Sequence, residues 1–83
     1  MAVYVDNAQI PFRRMKMCHM IADSLDELHR MAERIGLRRR WFQDGGSFPH
    51  YDVCLTKRDM AISYGAVPVE RRELVRIMRE LRA

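Results

Sequence analysis

Residues 15–36 read MKMCHMIADSLDELHRMAERIG, and the way this stretch divides decides the fold. Its second part carries three signs of a helix. Ser24 followed by Glu27 is the spacing at which a serine hydroxyl and a glutamate side chain each satisfy a free donor at a helix start. Leu25, Leu28, Ala32 and Ile35 then recur at helical spacing as one apolar stripe, and Gly36 closes the segment. The first part, MKMCHMIA at 15–22, is apolar enough for helix or strand. Its length and the helix start directly after it favour a buried strand. On that strand His19 shares a face with Met15, Met17 and Ile21, while on the helix His29 falls beside Leu25 and Leu28 at the border of the stripe.

The flanking segments supply the rest of the sheet. AVYVD at 2–6 has the β-branched and aromatic content of a strand, and Pro11 marks an irregular connection after it. LRRRWFQ at 37–43 reads as a third strand, with Arg38, Arg40 and Phe42 on one side and Arg39, Trp41 and Gln43 on the other. The loop DGGSFP leads to a fourth strand, HYDVCL at 50–55, where His50, Asp52 and Cys54 point one way and Tyr51, Val53 and Leu55 the other. Thr56 with Asp59 suggests a cap for a short helix ending near Gly65, and VPV leads into a basic amphipathic helix burying Leu74, Ile77, Met78 and Leu81. The order is roughly β-β-α-β-β-α-α. The expected class is α+β: one domain over residues 1–83, with a single small mixed sheet of about four strands and three helices packed on it.

Eighty-three residues make a small domain whose core covers a limited share of its surface, so a deep private cavity is not expected. With 48% hydrophobic and 31% charged residues the chain has the composition of a folded, water-soluble domain. Apolar runs are short and broken by charge, which excludes a membrane span, and residues 1–15 lack the apolar core of a signal peptide. The expected compartment is the cytoplasm, where Cys18 and Cys54 are buried free thiols. Residues 1–36 carry five bases and five acids, so the whole basic excess of 15 over 11 falls after Gly36. A basic second half favours an anionic partner, although arginines on short helices also simply solvate an outer face.

VYVD near the start, CHMIADSLDELHRMAERIGL in the middle, HYDV after it and GAVPVERRELVRIMR at the end together resemble the small bacterial and phage domain-of-unknown-function family 4031. The resemblance runs over nearly the whole chain. It implies a stand-alone domain and brings no established activity. It places Tyr4, Asp6, His19, Asp23, His29, His50 and Asp52 at matching positions. The chain departs from the family pattern at Met17-Cys18-His19-Met20, where many relatives have Trp-Ala-His-Leu, and in a longer loop before His50-Tyr51-Asp52.

Polar residues on or beside apolar elements need partners if buried. Each of them alone reads as a hydrogen-bonded structural group, but a domain this small gains little from burying several merely to fold. Three function classes follow. The first is a module binding a phosphorylated, nucleotide-like ligand: Arg38, Arg39 and Arg40 offer forked donors to phosphate, Trp41 or Tyr51 a stacking surface, and His19, His29, His50 and Asp52 polar contacts beside the Gly45-Gly46 turn. The ligand-binding set is therefore His19, His29, Arg38, Arg40, Trp41, His50, Tyr51 and Asp52, with no P-loop and no G-x-G-x-x-G. The second is a metal-dependent phosphoesterase or nuclease using His19, His29, His50, Asp52 or Asp6, for which no metal-ligand spacing speaks. The third is an accessory protein binding nucleic acid or protein through its arginines, without a helix-turn-helix, zinc-finger or RNP pattern. The first class is preferred; no cofactor is identified, and a homo-oligomer is expected from the Met-rich and aromatic content of so small a chain.

Overall fold

A computed structural model describes residues 2–46 and 48–82. Its organising strand is β3, Met15–Ala22, the eight-residue apolar segment singled out above. Two strands lie end to end along one edge of it. β1, Val3–Val5, pairs antiparallel with its C-terminal half, Val5 opposite Met20, and β2, Ile10–Phe12, pairs with its N-terminal half, Phe12 opposite Met15. β4, Tyr51–Cys54, pairs antiparallel along the other edge, with His19 opposite Asp52 and Met20 opposite Tyr51. β5, Val67–Pro68, extends the sheet as a parallel neighbour of β1. The protein is thus α+β, a mixed five-stranded sheet with three α-helices.

Period-two alternation divides the sheet into two unlike faces. Val3, Val5, Cys18, Met20, Ala22, Tyr51 and Val53 point to one side and pack with Leu28, Met31, Ala32 and Ile35 of α1, Leu25–Arg34, and its C-cap, and with Ala61 of α2, Leu55–Ser63. Each large apolar side chain fully buried here contributes about 1.5–3 kcal/mol before chain entropy is counted. Ile21 faces the other way and is fully buried, as is Leu74 of α3, Arg71–Arg82, which lies over that second face. The two cysteines are free because paired strands put them on opposite faces: Cys18 is buried in the core, while Cys54 is half-buried on the far side.

The capped helix forms where the sequence places it. Ser24 is extended, and its hydroxyl oxygen accepts the Glu27 amide at 3.3 Å while its own proton goes to the Glu27 carboxylate at 2.9 Å. The helix ends at Gly36 with φ +84°, where the Leu37 amide reaches back to the Ala32 carbonyl and the Gly36 amide to that of Glu33. Leu25, expected in the buried stripe, is instead 51% exposed, because a residue at the first helical position overhangs the strand–helix corner.

Two expectations fail on local grounds. Residues 37–43 do not form a strand: Arg39–Trp41 is a single 3-10 turn, and only Gln43 bridges to His50 across the loop. Three consecutive arginines gain more from solvation on a turn than on a paired strand that would bring every second one to the sheet. Thr56 and Asp59 do not cap α2 either; the helix starts directly from Cys54 without a side-chain cap. The last helix agrees with its pattern in part: Leu74 is buried and Ile77 and Met78 are half-buried, but Leu81 is exposed. No described helix is long and apolar enough to cross a membrane.

Candidate functional site

The second face of the sheet is only partly covered by α3, and its open part gathers the polar side chains. β1 alternates so that Val3 and Val5 enter the core while Tyr4 and Asp6 face the other side. After Asp6 the chain leaves β3 through a bulge, with Gln9 at φ +50°, before rejoining as β2. Such bulges re-aim side chains, and this one turns the Asp6 carboxylate inward. Asp6 is fully buried. Its Oδ1 accepts the backbone amides of His19 at 2.7 Å and Ala8 at 3.3 Å, and its Oδ2 lies 2.7 Å from Nδ1 of His19. Arg58 of α2 donates from Nε to the Asp6 carbonyl at 2.7 Å, holding the same bulge from outside.

This geometry sets the charge on both partners. Burial alone would raise the Asp6 carboxyl, but hydrogen bonds from the His19 ring, the His19 amide and the Ala8 amide outweigh it and bring the pKa below the ordinary carboxylate value. The same side-chain bond raises the pKa of His19, against the opposing effects of burial and the Arg71 charge; Asp52 adds to the rise. The pair is therefore a carboxylate and an imidazole held as an ion pair over part of the acidic range, with Nδ1 committed to Asp6 and Nε2 without a hydrogen-bond partner among the described residues.

His50 stands beside His19, ring centroids 5.6 Å apart and nearly edge-on. Its Nδ1 donates to the Phe48 carbonyl at 2.7 Å, which leaves Nε2 3.5 Å from Oδ1 of Asp52. Asp52 accepts a bond from the Gln43 amide at its other oxygen, at 2.8 Å, so its carboxylate is fixed between Gln43 and His50. A small recess of about 180 Å³ is lined by His19 and Asp52 together with Ile10, Pro11, Phe12 and Met17. It shares Phe12, Met17 and Asp52 with a larger open groove of about 640 Å³, whose far side is formed by Trp41, Arg40 and Lys57.

The residues expected at a site thus divide. His19, Asp52, Arg40 and Trp41 line the recess and the groove it joins, while His50 stands beside His19 and Asp52 without lining either. His29 and Tyr51 do not: they face the core side, where Nδ1 of His29 and the Tyr51 hydroxyl are 2.8 Å apart and Phe42 packs on both rings. Burial, and then the Arg39 charge, lower the pKa of His29 and keep it neutral, so it serves the core as a satisfied polar group. Arg38, before the 3-10 turn, is exposed and does not line the groove. Asp23 is structural as well, accepting the Ala2 amide at 2.8 Å and the Tyr4 hydroxyl at 3.0 Å. Residue type alone left out Gln43, offered Arg71 only among the last-helix arginines that could track nucleic-acid phosphates, and offered Asp6 only as a metal ligand. Alternation along residues 2–6 does signal Asp6, since it shares a face with Tyr4, but nothing in the sequence points to Gln43.

Among the described residues no three histidine, cysteine or carboxylate side chains are grouped to hold a metal ion. Every buried polar side-chain atom among them has a hydrogen-bond partner. No curated protein and no solved structure matches the chain. The family model described as "Protein of unknown function (DUF4031)" matches residues 3–81, and the chain belongs to that family.

Proposed function

We propose that this domain binds a phosphorylated, nucleotide-like small molecule along the open face of β3 and β4. One arrangement carries the reading: His19 and Asp52, with His50 packed beside both, open into an apolar groove edged by an aromatic ring, Trp41, and a guanidinium, Arg40. A planar base stacks on Trp41 and the Phe12–Met17 surface, a sugar hydroxyl meets Asp52, and phosphate meets His19 and the positive charge of Arg71 or Arg40. Such a ligand requires an apolar body and an anionic end, which is the polarity of the groove. A cytoplasmic site and self-association through the exposed apolar hairpin belong to the same reading.

The nucleic-acid reading of the arginine-rich last helix has less support. Arg76 is held by Glu73 at 2.6 Å and Glu80 at 2.7 Å, and Arg72 lies 3.6 Å from Glu70, so part of that charge is neutralised in place.

The chain contains one tryptophan, so its emission reports the groove directly. Titration with ribonucleoside phosphates and with inorganic phosphate should change Trp41 emission for the nucleotides. Asp52→Asn should weaken that response by about 1–3 kcal/mol, the value of a lost hydrogen bond to a charged group, with an unchanged melting temperature. Absence of any response across the nucleotides refutes the proposal.

A further inference from the structure

His19 and His50 are tethered alike and backed differently. Each ring gives its Nδ1 to an oxygen, that of His19 to the buried carboxylate of Asp6 and that of His50 to the neutral carbonyl of Phe48. Nε2 is then the atom that can exchange a proton in each ring, that of His50 lying 3.5 Å from the Asp52 carboxylate. With centroids 5.6 Å apart, both rings can reach oxygens carried by one phosphorus atom. Two titratable groups in unlike environments are the mark of an acid and a base working on one centre.

We propose that His50 and His19 are the general base and general acid for transphosphorylation of a ribonucleic acid phosphodiester, a step that rests on the phosphorylated-nucleotide reading of the groove. Nε2 of His50 takes the proton of the 2′-hydroxyl. The 2′-oxygen forms a bond to phosphorus, and the bond from phosphorus to the 5′-oxygen breaks with its electron pair on that oxygen. Nε2–H of His19 supplies the proton that the leaving 5′-oxygen needs. The products are a 2′,3′-cyclic phosphate and a 5′-hydroxyl, and the nucleophile comes from the substrate itself.

The surrounding groups suit these roles. Asp52, at 3.5 Å from Nε2 of His50, stabilises the imidazolium formed when that ring accepts the proton. The groups acting on His19 are Asp6 from β1, Asp52 from β4, the His50 ring and Arg71 from α3. The bond to Asp6 keeps His19 protonated to higher pH than a free histidine, as an acid requires. Arg71 brings positive charge to the same place, where the phosphoryl group gains negative charge in the transition state.

The test uses the whole chain and a single-stranded oligoribonucleotide carrying a fluorophore and a quencher, in excess chelator. The expected result is cleavage with a bell-shaped pH dependence, giving a product one water lighter than the simple phosphate monoester. At saturating substrate His19→Gln and His50→Gln should each slow it by roughly 10²–10⁴-fold. Because His19 supports the buried Asp6, melting curves accompany both variants; His50→Gln leaves the Asp6–His19 pair intact and decides the matter if the other is unstable. Replacing the 2′-hydroxyl at the scissile position with hydrogen should abolish cleavage and leave the Trp41 response. Cleavage that persists in both variants, or that needs an added divalent metal, overturns the inference. A Trp41 response without cleavage overturns it and leaves nucleotide binding standing; no response and no cleavage removes both.

Discussion

At the scale of single residues, the Asp6–His19 pair is the feature on which the site depends, and its pH behaviour follows from the directions of its two pKa values. For His19, raised in the folded state, the stabilisation is complete below the ordinary value of 6.5 and is lost as pH rises through the folded value. For Asp6, lowered in the folded state, it is complete above the ordinary value of 3.8 and is lost as pH falls through the folded value. Both contributions are present together between those two ordinary values. His19→Gln should therefore cost most stability within that window and progressively less as pH rises through the raised folded-state value of His19. Urea melts of wild type and variant at several pH values measure the gap; a gap independent of pH would mean that the pair is not ionised as described. Side-chain direction along β3 and β4 was legible at this scale, since alternation alone puts His19 with Met17 and Ile21, and His50 with Asp52 and Cys54. The Asp6–His19 bond was not. It depends on the register of β1 against β3 and on the bulge after Asp6, neither of which leaves a local pattern.

At the scale of elements, local chemistry was the better guide wherever an end carried its own signal. Ser24 and Glu27 mark the start of α1, and Gly36 its end, because a cap and a left-handed closing residue act within a few positions. Ser24→Ala should cost about 1 kcal/mol, or a fall in melting temperature of roughly 4–8 °C in a domain of this size, with no change in the Trp41 titration. An unchanged midpoint would place the helix start elsewhere. The 3-10 turn at Arg39–Trp41 resembles a strand in sequence because Trp41 and Phe42 have strand propensity and the segment lies between the helix end at Gly36 and the Gly45-Gly46 loop, while the choice between strand and turn rests on whether a partner strand is available. That correction matters for function. It moves Arg38 out of the site and sets Arg40 and Trp41 at the groove's rim, where a strand would have spread them over two faces.

For the whole molecule, the division of the sheet into a covered face and a partly open one explains both the stability and the site. The core lies between the sheet and α1 with α2, and α3 closes only part of the other side. Phe12, Met15, Ile10 and Trp41, at 54%, 43%, 41% and 47% exposure, form an apolar margin around the open part. We expect self-association through the β2–β3 hairpin, whose outer edge is unpaired among the described residues. Light scattering should give a mass above that of one chain, and Phe12→Lys should lower it; a single-chain mass at high concentration would contradict the expectation. Fold class and the amphipathic helices were readable at this scale, since they are written in spacing. That α3 brings the Arg71 charge to His19 was not, because the reach of a helix across a sheet is set by packing.

The most direct test of the groove as a nucleotide site is a titration of isotope-labelled protein with a ribonucleoside monophosphate, followed by nuclear magnetic resonance. Saturable shifts are expected in the imidazole signals of His19 and His50 and the indole signal of Trp41, with His29 unmoved in the core. No shift at saturating ligand, or shifts confined to the arginines of α3, would contradict it.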